Sequence, residues 1–260
     1  MKSNKDFWNS RVNNIPELVT SNDLNLNKLE ISYLKNKIDE LNPSSILDAG
    51  CGNGITFEQL KISKNKNIEK VGFDQAEKLI EYANRKTTEN TTFFVDTILN
   101  TKFLENPFIN SKEFELIYTK RVIQNLNNFE NQLKAINILI SLLSKNGTLI
   151  LIESFIEPFN NINSLRKKLK LDLITEPWFN NYINAKELLK HLEENYSLNV
   201  EIVPFASTYY YFSRILNAKF NSFINRTPEY KDFLNKLGSF FPNYTKKYSL
   251  VSIVKINKLQ

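Results

Sequence analysis

Three of only six glycines in the 260 residues, Gly50, Gly52 and Gly54, stand at alternate positions in one five-residue stretch. That cluster constrains the fold more than any other feature. Glycine is needed where the backbone must take a positive φ or lie against a ligand with no Cβ in the way. The apolar run Ser45 to Ala49 before it reads as a buried strand, and Ile55 to Ile62 after it reads as a helix. A tight strand-to-helix turn is the minimal reading, and in open α/β sheets such turns lie at the strand ends where ligands gather.

The rest of the chain extends that rhythm. Apolar residues Ile31, Leu34, Ile38 and Leu41 predict a helix over Leu24 to Leu41, which Pro43 stops. Further strands are read at Lys70 to Phe73, Thr92 to Val95, Phe114 to Tyr118 and Thr148 to Glu153. Helices are read at Gln75 to Arg85, Asn128 to Leu143 and Ala185 to Leu192. Two late strands follow, Asn199 to Phe205 and Tyr248 to Ile256. Strands alternating with amphipathic helices imply right-handed crossovers and an α/β, Rossmann-like sheet of seven mostly parallel strands with helices on both faces.

Between the two late strands, Phe205 to Tyr244 carries 12 of the 32 aromatic residues. About forty residues is too long for a hairpin turn, so this segment reads as an inserted cap. Phe212, Leu216, Phe220 and Phe223 fall at helical spacing and are expected to form its core. The whole chain reads as one domain: a helical lid over 1–42, a ligand-binding core over 43–154, remaining core over 155–206, the cap over 207–243 and the last strand over 244–260.

Composition narrows the function classes. A single cysteine, Cys51, excludes an internal disulfide and multi-cysteine metal sites, and no metal is expected. No run approaches the roughly 18 apolar residues of a membrane span, and residues 1–15 lack the apolar centre of a signal peptide, so the chain is expected to be cytoplasmic. Net charge is +6, with +1 over residues 1–150 and +5 over 151–260. A basic half attracts anionic substrates, nucleic acid or membrane surfaces. The run Arg166 to Lys170 reads as a solvated helix face.

The glycine run departs from the dinucleotide fingerprint, which wants its third glycine where Ile55 stands, and from the phosphate-binding loop, which wants a lysine after Gly54. Asp48 to Gly54 instead resembles the first motif of the class I S-adenosylmethionine-dependent methyltransferases, acidic-x-Gly-x-Gly-x-Gly. The resemblance implies that S-adenosyl-L-methionine is the cofactor and S-adenosyl-L-homocysteine the product. It places Asp48, Gly50, Cys51, Gly52 and Gly54 beneath the methionine part. It gives Asp74 and Gln75, at the end of the second strand, to the ribose, and Asp96, Thr97 and Ile98 to the adenine. Thr119, on the strand beneath the reacting methyl, and Trp8 and Arg11, in an N-terminal lid, complete the implied cofactor set. Many small-molecule members have a histidine where this chain has Asn125, a departure that speaks against a histidine general base. The amino-methyltransferase signature of many nucleic-acid enzymes is absent, so a small-molecule substrate is expected rather than nucleic acid.

Methyl transfer from a sulfonium chiefly needs a nucleophile held close to the methyl in a closed, dry pocket. Glu153, at the end of the fifth strand, is the first candidate for a substrate-facing acid or base, with Glu157 a weaker one. Tyr209 and Tyr210 in the cap are further catalytic candidates, through a hydroxyl or a ring face. Arg121, Asn125 and Arg214 are candidate substrate-binding residues, since a guanidinium fork fits phosphate or carboxylate. The only histidine, His191, reads as structural. The combined expectation is methyl transfer to N or O of a small anionic metabolite, sugar-linked or phosphorylated. A non-catalytic cofactor-binding partner or sensor and an RNA methyltransferase are the alternatives. Oligomeric state is not legible.

Overall fold

The computed structural model describes residues 3–62, 67–87, 89–203, 205–243 and 245–258. The outermost residues of the expected lid and last strand, 1–2, 244 and 259–260, lie outside that set. Seven strands build one sheet: β1 (Ser45–Ala49), β2 (Glu69–Asp74), β3 (Thr91–Val95), β4 (Phe114–Lys120), β5 (Leu143–Ser154), β6 (Leu198–Val203) and β7 (Val251–Lys258). Their order is β3-β2-β1-β4-β5-β7-β6. Only β7 runs against its neighbours, pairing antiparallel with β5 and β6.

Alternate residues of the central strands serve opposite faces, as the pleat demands. Ile46, Leu116, Tyr118, Ile150 and Ile152 pack in one core cluster with Leu34 and Ile38 of α2 (Leu24–Leu41), after α1 (Asn4–Ser10). Leu47, Ile117, Leu149 and Leu151 pack in the other, against helix residues such as Ile136, Leu139 and Leu188. The intervening helices are α3 (Ile55–Leu60), α4 (Glu77–Arg85), α5 (Phe129–Ser141), α6 (Ile156–Lys168) and α7 (Ala185–Asn195). Helix α2 has the bounds read from its periodicity, and Asn42 ends it in the left-handed conformation at φ 44°. Asn128 caps α5 by accepting from the Asn131 amide.

Helix α6 was legible only at its basic end, because its start carries Pro158. Proline there stands in the first turn, where it breaks no helical hydrogen bond. The cap holds α8 (Ser207–Tyr210), a π-helical stretch Tyr211–Leu216, α9 (Asn217–Phe223) and α10 (Phe233–Gly238). This corrects the expected cap core. Phe212 and Leu216 are half-buried, whereas Phe220 and Phe223 are exposed, and Asn217, Ala218 and Asn221 are turned inward instead. A π-helical turn takes in an extra residue, so a 3.6-residue spacing read across it loses phase. Among the described residues no helix is long and apolar enough to cross a membrane.

Truncation of a central-strand residue within one of the two cores reports on the whole sheet. Ile117→Ala, at a fully buried position of β4, is expected to cost about 2 to 5 kcal/mol in urea denaturation; a loss of a few tenths would mean that the site collapses around the missing methyls.

Candidate active site

The turn after β1 has the conformation its glycines foretell, with φ of 80°, 56° and 73° at Gly50, Gly52 and Gly54. The amides of Gly50 and Cys51 both donate to the Phe73 carbonyl at 2.9 Å, which ties the turn to β2. Space is as restrictive as dihedral angle. A Cβ on Gly50 would lie 2.4 Å from Val122 Cγ2, and one on Gly52 would lie 2.8 Å from Thr20 Cγ2.

Carboxylates stand at the ends of the first three strands. Asp48 is buried and accepts from the Tyr118 hydroxyl at 2.8 Å. Asp74 accepts from the Gly52 amide at 3.0 Å and the Ala76 amide at 2.8 Å, so one side chain spans the glycine turn and the start of α4. Gln75 adds its amide to the same carboxylate. Asp96 accepts from the Thr97 amide and from the side chains of Asn100 and Asn106. Thr97 is exposed, while Ile98 is buried in the core. The thiol of Cys51 is buried and burial pushes its pKa well up, so it is an inert packing group there.

Glu153 takes a place different from the expected one. It is fully buried and its carboxylate holds the loop that follows β4. Oε1 accepts from the Thr119 hydroxyl at 2.6 Å and the Val122 amide at 3.0 Å, and Oε2 accepts from the Gln124 amide at 3.2 Å. A carboxylate spent on buried donors positions a loop and presents no acid or base to a substrate. Thr119, expected against the cofactor, is likewise buried and committed to Glu153. The loop itself carries Arg121 in the left-handed region at φ 61°. Non-glycine residues held there cluster at functional sites. Glu157 accepts from the amides of Ala185 and Lys186 and joins α6 to α7. His191 faces Asn137 at 3.0 Å between two helices.

The N-terminal segment lies over these strand ends. Asn9 accepts from the Lys78 amide at the start of α4, and Asn4 donates to the Asn125 carbonyl at 2.6 Å. Arg11 donates to the carbonyls of Leu18 and Val19 and to Asn22, folding the strap on itself. Beneath it opens a cavity of about 320 Å³, lined among others by Trp8, Arg11, Arg121, Asn125, Tyr210 and Arg214. Six of the expected site residues outside the glycine turn therefore line one space. Tyr209 does not: it is buried and its hydroxyl donates to Asp23 at 2.5 Å.

Two buried ion pairs back the cavity. Arg214 reaches Asp23 at 3.0 Å, and its guanidinium lies 5.4 Å from the Tyr210 ring and 5.1 Å from that of Tyr230. Arg121 faces the fully buried Glu30 at 3.2 Å and donates to Ser21 at 2.9 Å. Burial raises the Glu30 pKa, with Arg121 and Lys120 opposing the rise, and burial lowers that of Lys120 to about 8. Neither Asp23 nor Glu30 was picked out from the sequence. Glu30 had a signal, because it stands in the stripe Leu26, Glu30, Leu34, Ile38 on the buried face of α2. Gln124, Asn180 and Tyr182 also line the cavity, and none lies in a motif.

The family described as a methyltransferase domain matches residues 42–219. The chain belongs to that family. Solved structures that share the fold at low identity include the N-methyltransferase NodS from Bradyrhizobium japonicum WM9 in complex with S-adenosyl-L-homocysteine, at 12% identity over 98% of each chain with a TM-score of 0.59. The plantazolicin methyltransferase BamL, in complex with a triazolic desmethylPZN analogue and S-adenosyl-L-homocysteine, has 16% identity over 100% of this chain and 96% of its own, TM-score 0.57. Magnesium protoporphyrin IX methyltransferase from Synechocystis PCC 6803 has 15% identity over 99% and 95%, TM-score 0.57. No curated protein matches the chain. In this methyltransferase the N-terminal strap, the 121–125 loop, residues 174–182 and the cap together line the cavity.

Burial pushes the Asp48 carboxyl up to about 7, against the hydrogen bond from Tyr118. An unfolded aspartate titrates near about 3.9, so the folded methyltransferase binds this proton more tightly and loses stability as pH rises from about 4 to about 7. Burial raises Glu30, Asp74 and Glu153 in the same direction. Asp48→Asn, which keeps an acceptor for Tyr118, is expected to reduce that slope in urea denaturation across the range; an unaltered slope would place the titration elsewhere.

Proposed function

We propose that the chain transfers the methyl group of S-adenosyl-L-methionine to a nitrogen or oxygen of a small anionic metabolite, such as a phosphorylated or sugar-linked one. The observation that carries the substrate class is the cavity. Three arginines, Arg11, Arg121 and Arg214, line it together with aromatic rings. Residues lining it also hold buried polar atoms with no hydrogen-bond partner: Arg121 Nε, Asn125 Oδ1 and Asn180 Oδ1. Buried donors and acceptors are almost always satisfied in folded proteins, so orphans beside a cavity indicate a missing partner. A guanidinium suits an anion, and the amide oxygens suit the N–H or O–H of an acceptor.

The residues at the strand ends fit the cofactor. The Asp74 carboxylate accepts from three backbone amides and keeps one further lone pair for a ribose hydroxyl. The glycine turn would hold the methionine part, and Asp96 the adenine amino group. Val122 and Thr20 lie on Gly50 and Gly52, so a ligand crossing the turn displaces both side chains. That couples cofactor entry to the 121–125 loop and to the strap. When bound, the cofactor supplies an electrophilic methyl group. The chain's own part is to hold an acceptor in line and to exclude water beneath the strap. The arginines favour the neutral form of an amine, since a nearby like charge lowers its pKa.

Calorimetric titration tests this directly. S-adenosyl-L-methionine and S-adenosyl-L-homocysteine are expected to bind and NADH is not, and Asp74→Asn is expected to weaken binding at least about tenfold, the loss of roughly one charge-assisted hydrogen bond. Unchanged affinity would remove the ribose role. In a screen of phosphorylated and carboxylated amines and alcohols, Arg214→Gln is expected to raise KM about tenfold or more with cofactor affinity unchanged; an unaltered KM would take Arg214 out of substrate binding.

A further inference from the structure

The cap presents large apolar side chains that no element among the described residues covers. Phe220, Phe223, Ile224, Phe233, Phe240 and Phe241 are all exposed within 22 positions, three of them at 72%. Exposure of so many large apolar side chains in one segment marks an interaction site. Every residue from 222 to 231 is exposed, so this part of the cap projects and is no flat face.

Charge separates the occupants. Residues 219–247 hold six basic side chains, including Lys219, Lys236 and Lys247, against two acidic ones, Glu229 and Asp232. Both acids are engaged inside the cap, Asp232 by Arg226 and Glu229 by Lys231 at 3.0 Å. These pairs cancel, which leaves Lys219, Lys236, Lys246 and Lys247 as the unbalanced charge of the segment that carries the aromatic side chains. Lys219 Nζ lies 4.7 Å from the centre of the Phe223 ring. Rings that enter an apolar layer while neighbouring ammonium groups reach phosphates are the features of an interfacial membrane contact. A second copy would bring the same positive charge face to face, which opposes self-association here.

The cap also contributes to the wall of the cavity. Arg214, Ile174 and Tyr230 line the arginine cavity and, with Ala218, Pro228 and Asn235, a neighbouring groove of about 280 Å³. Tyr230 is itself 46% exposed on the cap.

We infer that the cap docks the protein on an anionic lipid bilayer through these aromatic and lysine side chains. Docking sets the groove, and behind it the cavity, against the lipid surface. An amphiphile with an anionic head then has a direct path to Arg214; this consequence for the acceptor rests on the proposed methyl transfer, whereas the docking does not.

Co-sedimentation of the full chain with vesicles decides the matter. Binding to phosphatidylcholine vesicles containing phosphatidylglycerol is expected to be at least about tenfold tighter than to phosphatidylcholine alone, and to weaken as salt is raised. The double variant Phe223→Glu, Phe240→Glu is expected to lose at least about tenfold in binding, with Leu104→Glu, an exposed apolar residue outside the cap, as the unaffected control. Circular dichroism melting establishes that both variants fold. No vesicle binding, equal binding to both vesicles, or equal loss in the control would overturn the inference. So would a dimer in sedimentation velocity that the double variant abolishes, which would assign the face to a second copy. Cofactor titration of the same samples keeps the two proposals apart, because intact titration without vesicle binding sinks only the docking.

Discussion

The Glu153 carboxylate is the interaction on which the site depends. Buried at the end of β5, it gathers the Thr119 hydroxyl from β4 and the amides of Val122 and Gln124 from the loop beyond. A carboxylate without those donors would be costly in that position, and the loop without the carboxylate would leave buried amides unpaired. Each therefore requires the other. The consequence reaches the glycine turn, because the same loop sets the Val122 methyls on Gly50 and holds Arg121 in a left-handed conformation. Strain at Arg121 persists because the residues on either side are fixed, one by the sheet and one by Glu153.

The paired charges behind the cavity depend on that placement. Arg121 emerges from the loop toward Glu30 of α2, while Asp23 at the N-cap of α2 receives both Tyr209 and Arg214 from the cap. One helix thus sets the positions of guanidinium groups from two distant parts of the chain. Buried pairs of this kind contribute little net stability, since desolvation offsets their attraction. Their effect is geometric: they hold two arginines beside one cavity with their charges already oriented, so that an anion entering it meets donors that need little rearrangement.

Much of the sheet was legible in the sequence because its signals are local. A run such as Ser45 to Ala49, between Pro43 and Gly50, or the stripe through α2, needs no knowledge of what it packs against. The glycine turn and the three terminal aspartates were legible for the same reason, each lying next to its own strand. Glu153 was found but given the wrong surroundings, because its partners come from a loop thirty residues earlier whose path no periodicity records. Asp23 and Glu30 were missed since their partners lie about 90 to 190 residues away. A polar residue in an apolar stripe, as Glu30 is, is the one local trace that such a pair leaves.

The cap shows how a single change of helical period alters both sides of an element. Six residues of π-helix, Tyr211 to Leu216, separate α8 from α9. Before them, Tyr209 and Tyr210 turn inward to Asp23 and the cavity. After them, the inward positions fall to Asn217 and Asn221, which donate to Asp232 and so join α9 to the start of α10. The phenylalanines that a regular helix would have buried are turned out by the same shift. An irregularity placed beside the cavity wall therefore serves two ends: it lets Arg214, which it contains, reach Asp23, and it moves apolar side chains to the surface. π-helical turns carry a cost in helix geometry and recur where function requires the displaced side chains. Here the displaced groups are the arginine that lines the cavity and the aromatic rings that rim the cap, which ties the shape of the pocket to the character of the surface above it.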